Sequence, residues 1–175
     1  MAHMAEPEDR RVAGFVIILM GVSGAGKSTV GARLAQELGW TFLDGDELHP
    51  ARNREVMSHG IALTDADRQP WLDAMRQSVE RFLSAGANAV IACSALKESY
   101  RRRIVVDPSR VKVVYLKGPQ ELVASRLRDR RGHFMLPKLL QSQFDALEEP
   151  RDAIVADISA SPGAIVESIR AQLGI

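Results

Sequence analysis

The octapeptide Gly21-Val22-Ser23-Gly24-Ala25-Gly26-Lys27-Ser28 constrains this chain more than any other feature, because its GxxxxGK(S/T) spacing has one well-understood physical use. Its glycines let successive backbone N–H groups turn inward around phosphate oxygens, at the positive end of a following helix. Lys27 then reaches the β- and γ-phosphates, and the Ser28 hydroxyl is placed to ligate Mg²⁺. The whole stretch from Gly21 to Thr29, with Val22, Ser23 and Ala25, is expected to line a nucleoside triphosphate site. Such a loop functions only between a buried strand and a helix. Phe15 to Met20 is a β-branched-rich apolar run ending at Gly21, and Val30, Leu34, Ala35 and Leu38 recur at helical spacing until Gly39.

The same alternation continues down the chain. Further strands are expected at 41–43, 89–93, 111–116 and 153–156. Helices are expected over 50–60, from an Asp65 cap to Gly86, and over 94–106, 119–130, 139–147 and 163–173. Right-handed βαβ crossovers then dictate a three-layer α/β/α architecture around a five-stranded parallel sheet. Residues 1–12 read as a polar tail whose Met-Ala-His-Met opening has the look of a cloning remnant, and 13–175 as one domain. The arginine- and glycine-containing stretch 126–138 reads as a mobile lid.

Composition excludes several partners. Twenty-three basic residues against twenty-two acidic ones give a net charge of +1, so no global field favours nucleic acid or an anionic membrane. No apolar run approaches the roughly 20 residues that span a bilayer. The single cysteine, Cys93, lies in an apolar stretch and suits a buried thiol in a reducing compartment, so the cytoplasm is the expected location.

A second chemical signal is Asp44-Gly-Asp46, at the expected carboxyl end of the second strand. One carboxylate can hold Mg²⁺ through water while the other takes the proton of an attacking hydroxyl. Asp-Gly is also ordinary turn chemistry.

Beyond these two motifs, the chain resembles the gluconate kinases, small P-loop kinases related to shikimate and adenylate kinases. The resemblance rests on the glycine loop, on Phe42-Leu-Asp-Gly-Asp46 with Leu48-His-Pro50, on Arg52-Asn53, and on Asp67-Arg68 with Pro70-Trp71-Leu72. It continues through Cys93-Ser-Ala-Leu-Lys97, Tyr100-Arg101, Gly132-His-Phe134, Gln143-Phe144 and Glu149-Pro150, and so covers most of 15–157. The resemblance implies the P-loop kinase fold and phosphoryl transfer from ATP to the terminal hydroxyl of D-gluconate, with Mg²⁺. It also implies a homodimer. Analogy with related small-molecule kinases makes Asp46 the general base and Asp44 the metal partner, although the two roles are interchangeable on spacing alone.

An anionic, polyhydroxy acceptor needs cations and polar side chains, and Arg52, Asn53, Arg68, Lys97 and Arg101 are the candidates. His49 is read either as a substrate contact or as a loop anchor, and His133 as a substrate-side lid residue beside a Gly132 hinge. Arg68 is otherwise a surface partner of Asp65 or Asp67. Lys97, Tyr100 and Arg101 are expected on one helix face towards the cleft, with Arg102 and Arg103 on a solvated face. Arg126 and Arg130, four residues apart, are placed to meet ATP phosphates, or else to pair with Glu121 or Asp129. Trp71 reads as core. The competing functions are a kinase for another hydroxy acid such as shikimate, and an ATP-binding module without catalysis.

Overall fold

The structure is a computed structural model that describes residues 13–130 and 137–175. Five strands, β1 (Val16–Met20), β2 (Thr41–Asp44), β3 (Ala89–Ala92), β4 (Val111–Lys117) and β5 (Ile154–Asp157), form one sheet in the order β2-β3-β1-β4-β5. Every neighbouring pair is parallel. The helices are α1 (Lys27–Leu38), α2 (Ala51–Ser58), α3 (Asp65–Ser84), α4 (Glu98–Ile104), α5 (Gln120–Asp129), α6 (Pro137–Ala146) and α7 (Pro162–Leu173). This is the expected α/β architecture of the P-loop kinases.

Alternation along β1 explains the layers. Ile17 and Leu19 face a core built with Val30 and Leu34 of α1, Val123 and Leu127 of α5, Leu140 of α6 and Ile165 and Ile169 of α7. Val16, Ile18 and Met20 face the opposite core, with Trp71, Met75 and Val79 of α3 and Tyr100 and Ile104 of α4. All five β1 side chains are fully buried, as a central parallel strand covered on both faces requires. From β1 the chain passes to β2 and β3 on one side and then crosses to β4 and β5 on the other, so ligand groups collect beyond the carboxyl ends of the strands at this switch.

Two local expectations need correction, and one alternative is settled. Thr64, not Asp65, caps α3: its hydroxyl accepts from the Asp67 N–H, and the Asp67 carboxylate accepts from the Thr64 N–H. The helix expected over 94–106 is only α4, because Ser94 to Lys97 is non-helical and Ala95 takes φ 41°. The stretch after β2 is not a plain turn but a single 3₁₀ turn over Gly45–Leu48, capped by the Asp44 side chain. Gly45 is required there for space: a Cβ would sit 2.6 Å from the Ala92 carbonyl oxygen and 3.0 Å from Met75 Sδ. Of the expected lid, 131–136 lies outside the described residues.

Candidate active site

The glycine loop joins the end of β1 to α1. Gly21, Gly24 and Gly26 take φ of +151°, +83° and +96°, conformations that L side chains rarely adopt. Gly24 is doubly constrained, since a Cβ would approach Leu127 Cγ of α5 to 2.8 Å. Val22 and Ala25 are buried and fix the loop on the core, with the Ala25 N–H donating to the Val22 carbonyl. The Lys27 ammonium donates to the Val22 carbonyl oxygen at 3.0 Å, folding its side chain back over the loop. Burial pushes the Lys27 pKa down, against the pull of Asp46 and Asp44. Thr29, the third residue of α1, is exposed.

Ser28 and Asp44, paired in sequence only by expectation, meet here. The Ser28 hydroxyl donates to Asp44 Oδ2 at 2.8 Å, while Asp44 Oδ1 accepts from the Asp46 N–H at 3.1 Å. Asp44 therefore serves two elements at once. Asp46 carries its carboxylate beside Lys27. Although water reaches it, loss of hydration against the loop raises its pKa, Asp44 adds to the rise, and Lys27 opposes it.

Trp71 underpins this corner. It is buried, as expected for a core residue, and its indole N–H donates to the Gly45 carbonyl at 2.8 Å. His49 stacks on it, with ring centroids 4.7 Å apart and planes at 8°. Burial, and the neighbouring Arg68 and Arg54, hold the His49 pKa down to about 4, so the ring is neutral near pH 7. Its Nδ1 is buried without a hydrogen-bond partner among the described residues, and its backbone N–H donates to the Asp46 carbonyl. His49 thus anchors the loop that carries Asp46. Cys93, at the end of β3, is a buried thiol with its pKa pushed up to about 12, inert as expected.

A cation cluster lies on the α3–α4 side. Lys97 Nζ is 2.9 Å from both oxygens of Asp65, the Tyr100 hydroxyl donates to Asp65 Oδ1, and Arg68 Nη1 lies 3.9 Å from the same oxygen. Arg68 Nη1 also donates to the Tyr100 hydroxyl at 3.4 Å. Two cations around one carboxylate leave a net positive charge, held in place by Asp65. The sequence offered Asp65 as a cap and as a surface partner of Arg68, and the second pairing is present; its bonds to Lys97 and Tyr100 were not foreseen.

Other expected acceptor contacts are engaged differently. Arg101 is buried and donates from Nη1 to the Ala95 and Leu96 carbonyls, both at 2.9 Å, so it braces the left-handed turn at Ala95 instead of pointing to the cleft. Asn53 is buried and donates to the Asp67 carbonyl at 2.7 Å, tying α2 to α3. Arg52 is exposed on α2, near enough to Asp67 to stabilise its carboxylate. Arg126 pairs with neither Glu121 nor Asp129 among the described residues, but donates to the Ile158 carbonyl just beyond β5. Arg130, at the carboxyl end of α5, lies close enough to Lys27 to oppose its charge. Arg102 and Arg103 pair with Glu98 and Asp73 on the surface, as a solvated face implies. His133 lies outside the described residues.

A phosphate-binding loop at the sheet's switch point, facing a carboxylate pair and a separate cation cluster, defines a P-loop kinase. A family profile described as an AAA domain matches residues 16–153. The chain is 40% identical over 163 residues to the thermosensitive gluconokinase of Escherichia coli strain K12, covering 91% of this chain and 87% of that one. A crystal structure of a gluconokinase from Sinorhizobium meliloti 1021 superposes with a TM-score of 0.83 at 43% identity, over 94% of each chain. Shikimate kinase from Aquifex aeolicus shares the fold, with a TM-score of 0.67 at 22% identity over 91% of this chain and 96% of that one. The chain belongs to the gluconokinase family. It is therefore an enzyme, a kinase with ATP as co-substrate.

Proposed function

We propose that this protein transfers the γ-phosphoryl group of ATP to the terminal hydroxyl of D-gluconate, giving 6-phospho-D-gluconate and ADP. The observation that carries this reading is the net positive Arg68–Lys97 cluster, linked to Asp46 through His49. His49 joins them, bonded to the Asp46 carbonyl and within the field of Arg68. The cluster receives the acid's carboxylate, whose charge matches its net positive charge. Arg52 flanks the hydroxyls, while Asn53 and Arg101 support the walls.

In this reading Asp46 accepts the proton of the attacking hydroxyl, and its raised pKa brings it nearer to the basicity a base needs at neutral pH. The glycine loop and Lys27 hold the β- and γ-phosphates, and Arg126 and Arg130 bring further positive charge to the transferring group. Arg126 first has to leave the Ile158 carbonyl. Ser28 Oγ and Asp44 Oδ2 are hard oxygens already side by side, a donor set that fits Mg²⁺, which commonly takes one or two protein oxygens with phosphates and water. When bound, the ion neutralises charge on the β- and γ-phosphates.

A panel of acids assayed by ADP release with ATP and Mg²⁺ tests the acceptor. Gluconate is expected to give a kcat/KM at least about 100-fold above shikimate, since a site built for one row of hydroxyls leaves polar groups unpaired with the other. Faster turnover of shikimate would assign the site to another hydroxy acid.

Among the described residues no helix is long and apolar enough to cross a membrane. The homodimer and the cytoplasmic location that the resemblance and composition suggest belong to the same proposal.

A further inference from the structure

In a phosphate nest the loop N–H groups point inward. The Ser23 N–H is already engaged: it donates to Gln143 Oε1 of α6 at 2.8 Å. The same amide returns a bond, Gln143 Nε2 donating to Ser23 Oγ at 3.1 Å. One side chain thus meets both the N–H and the hydroxyl oxygen of a loop residue 120 positions earlier in sequence. On the loop's next residue, Gly24 packs against Leu127 and Val123 of α5 so closely that no Cβ fits. The loop is gripped by apolar atoms of α5 and by a polar pair from α6.

The support behind Gln143 is itself fixed. Just past α6, the Glu148 N–H donates to the Leu96 carbonyl at 2.9 Å, and the Glu148 carboxylate accepts from the Glu98 N–H at 2.7 Å, capping α4. Glu149 accepts from Lys117 of β4 at 2.8 Å. Gln143 is also out of pattern in sequence. It falls on the apolar stripe Leu140, Phe144, Leu147, where a fourth apolar residue would serve packing better. Its polar head is explained by the bonds to Ser23.

We propose that Gln143 is a positioning residue for ATP, holding Ser23 so that the glycine loop stays in its phosphate-binding conformation before nucleotide arrives. A preformed loop binds without the ordering cost that a loose one must meet. The proposal rests on the ATP half of the function proposed above and is independent of the acceptor. Gln143 touches no reacting atom. Its removal therefore weakens nucleotide binding and leaves the chemical step alone.

The test is calorimetric titration of the whole protein with Mg–ATP in the absence of acceptor, which keeps the result separate from any failure of the gluconate reading. Gln143→Met preserves length and packing, and is expected to raise the Kd for ATP about tenfold through the loss of the paired hydrogen bonds. In steady state the KM for ATP rises while kcat and the acceptor KM stay near the parental values. Ser23→Ala removes one of the two bonds, and the Gln143→Met effect is expected to shrink in that background. Additive effects of the two would instead mean that Gln143 acts only through the packing of α6, and would overturn the proposal. So would an unchanged Kd, or a tighter one, which would mean that Gln143 competes with phosphate for the Ser23 N–H. Should Gln143→Met fail to fold, Gln143→Asn, one methylene too short to reach both Ser23 groups, carries the same expectations.

Discussion

Replacing Asp46 with Asn is expected to lower kcat by about two to four orders of magnitude, the usual worth of a positioned general base. The fold should survive it. Both backbone bonds of Asp46, its N–H donating to Asp44 Oδ1 and its carbonyl accepting from the His49 N–H, are independent of its side chain. The carboxylate makes no hydrogen bond that holds the loop among the described residues, so the loss falls on chemistry. The KM for ATP should stay nearly unchanged, because the loop and Lys27 are untouched. The pH profile carries a second mark. A base works ionised, and the Asp46 pKa is raised by lost hydration and by Asp44, so the acid limb of kcat lies above the ordinary aspartate value of about 3.9. Activity falls as pH drops through that limb. In Asp46→Asn the limb disappears; a variant retaining more than about a tenth of the parental kcat would remove Asp46 from the role of base.

Lys27→Met is the second large effect. Methionine keeps the chain's length and apolar stem but removes the ammonium proposed to meet the β- and γ-phosphates, with an expected loss of about 100- to 1,000-fold in kcat. The KM for ATP rises as well, since a cation on the phosphates acts in the ground state too. Lys27 is also, among the described residues, the one group that lowers the Asp46 pKa, against burial and Asp44. Its removal therefore shifts the acid limb of the residual activity to higher pH. Stopped-flow single-turnover rates across a pH series separate this shift from slower nucleotide binding. A limb that stays in place, or moves down, would show that Lys27 and Asp46 are not electrostatically coupled.

These two residues were legible in the sequence because each belongs to a motif with fixed spacing on a strand end. The parallel sheet was legible for a related reason: its central strands are continuous apolar runs, and glycines mark where the helices stop. What was not legible depended on packing. Arg101 follows Tyr100 on a basic helix and has the chemistry of an anion ligand, yet the left-handed turn at Ala95 draws its guanidinium to the Ala95 and Leu96 carbonyls. That turn also ended the helix expected from Ser94, and nothing in Ser-Ala-Leu-Lys signals it. Asn53 was drawn away in the same manner, to the Asp67 carbonyl. The α3 cap was readable, since Thr64 stands three residues before Asp67, but Asp65 is an equally good capping type. Asp65 instead organises Lys97, Tyr100 and Arg68, a contact across 35 residues of sequence to Tyr100 that no local pattern encodes.

The corner beneath Asp46 shows one residue serving core and site together. Trp71 fills the α3 side of the core, bonds the Gly45 carbonyl and stacks under His49. Its position on an apolar stripe revealed the first role only. Gly45, between the two carboxylates, is there because β3 and Met75 leave no room for a side chain.

The most direct test of the central claim is to identify what receives the phosphoryl group. The purified protein is incubated with ATP, Mg²⁺ and D-gluconate, and the product is followed by phosphorus NMR with proton coupling. A new phosphate monoester is expected, formed one for one with ADP, its resonance split into a triplet by the two protons of a primary carbon. Release of inorganic phosphate without that ester, or an ester on a secondary hydroxyl, would contradict the claim.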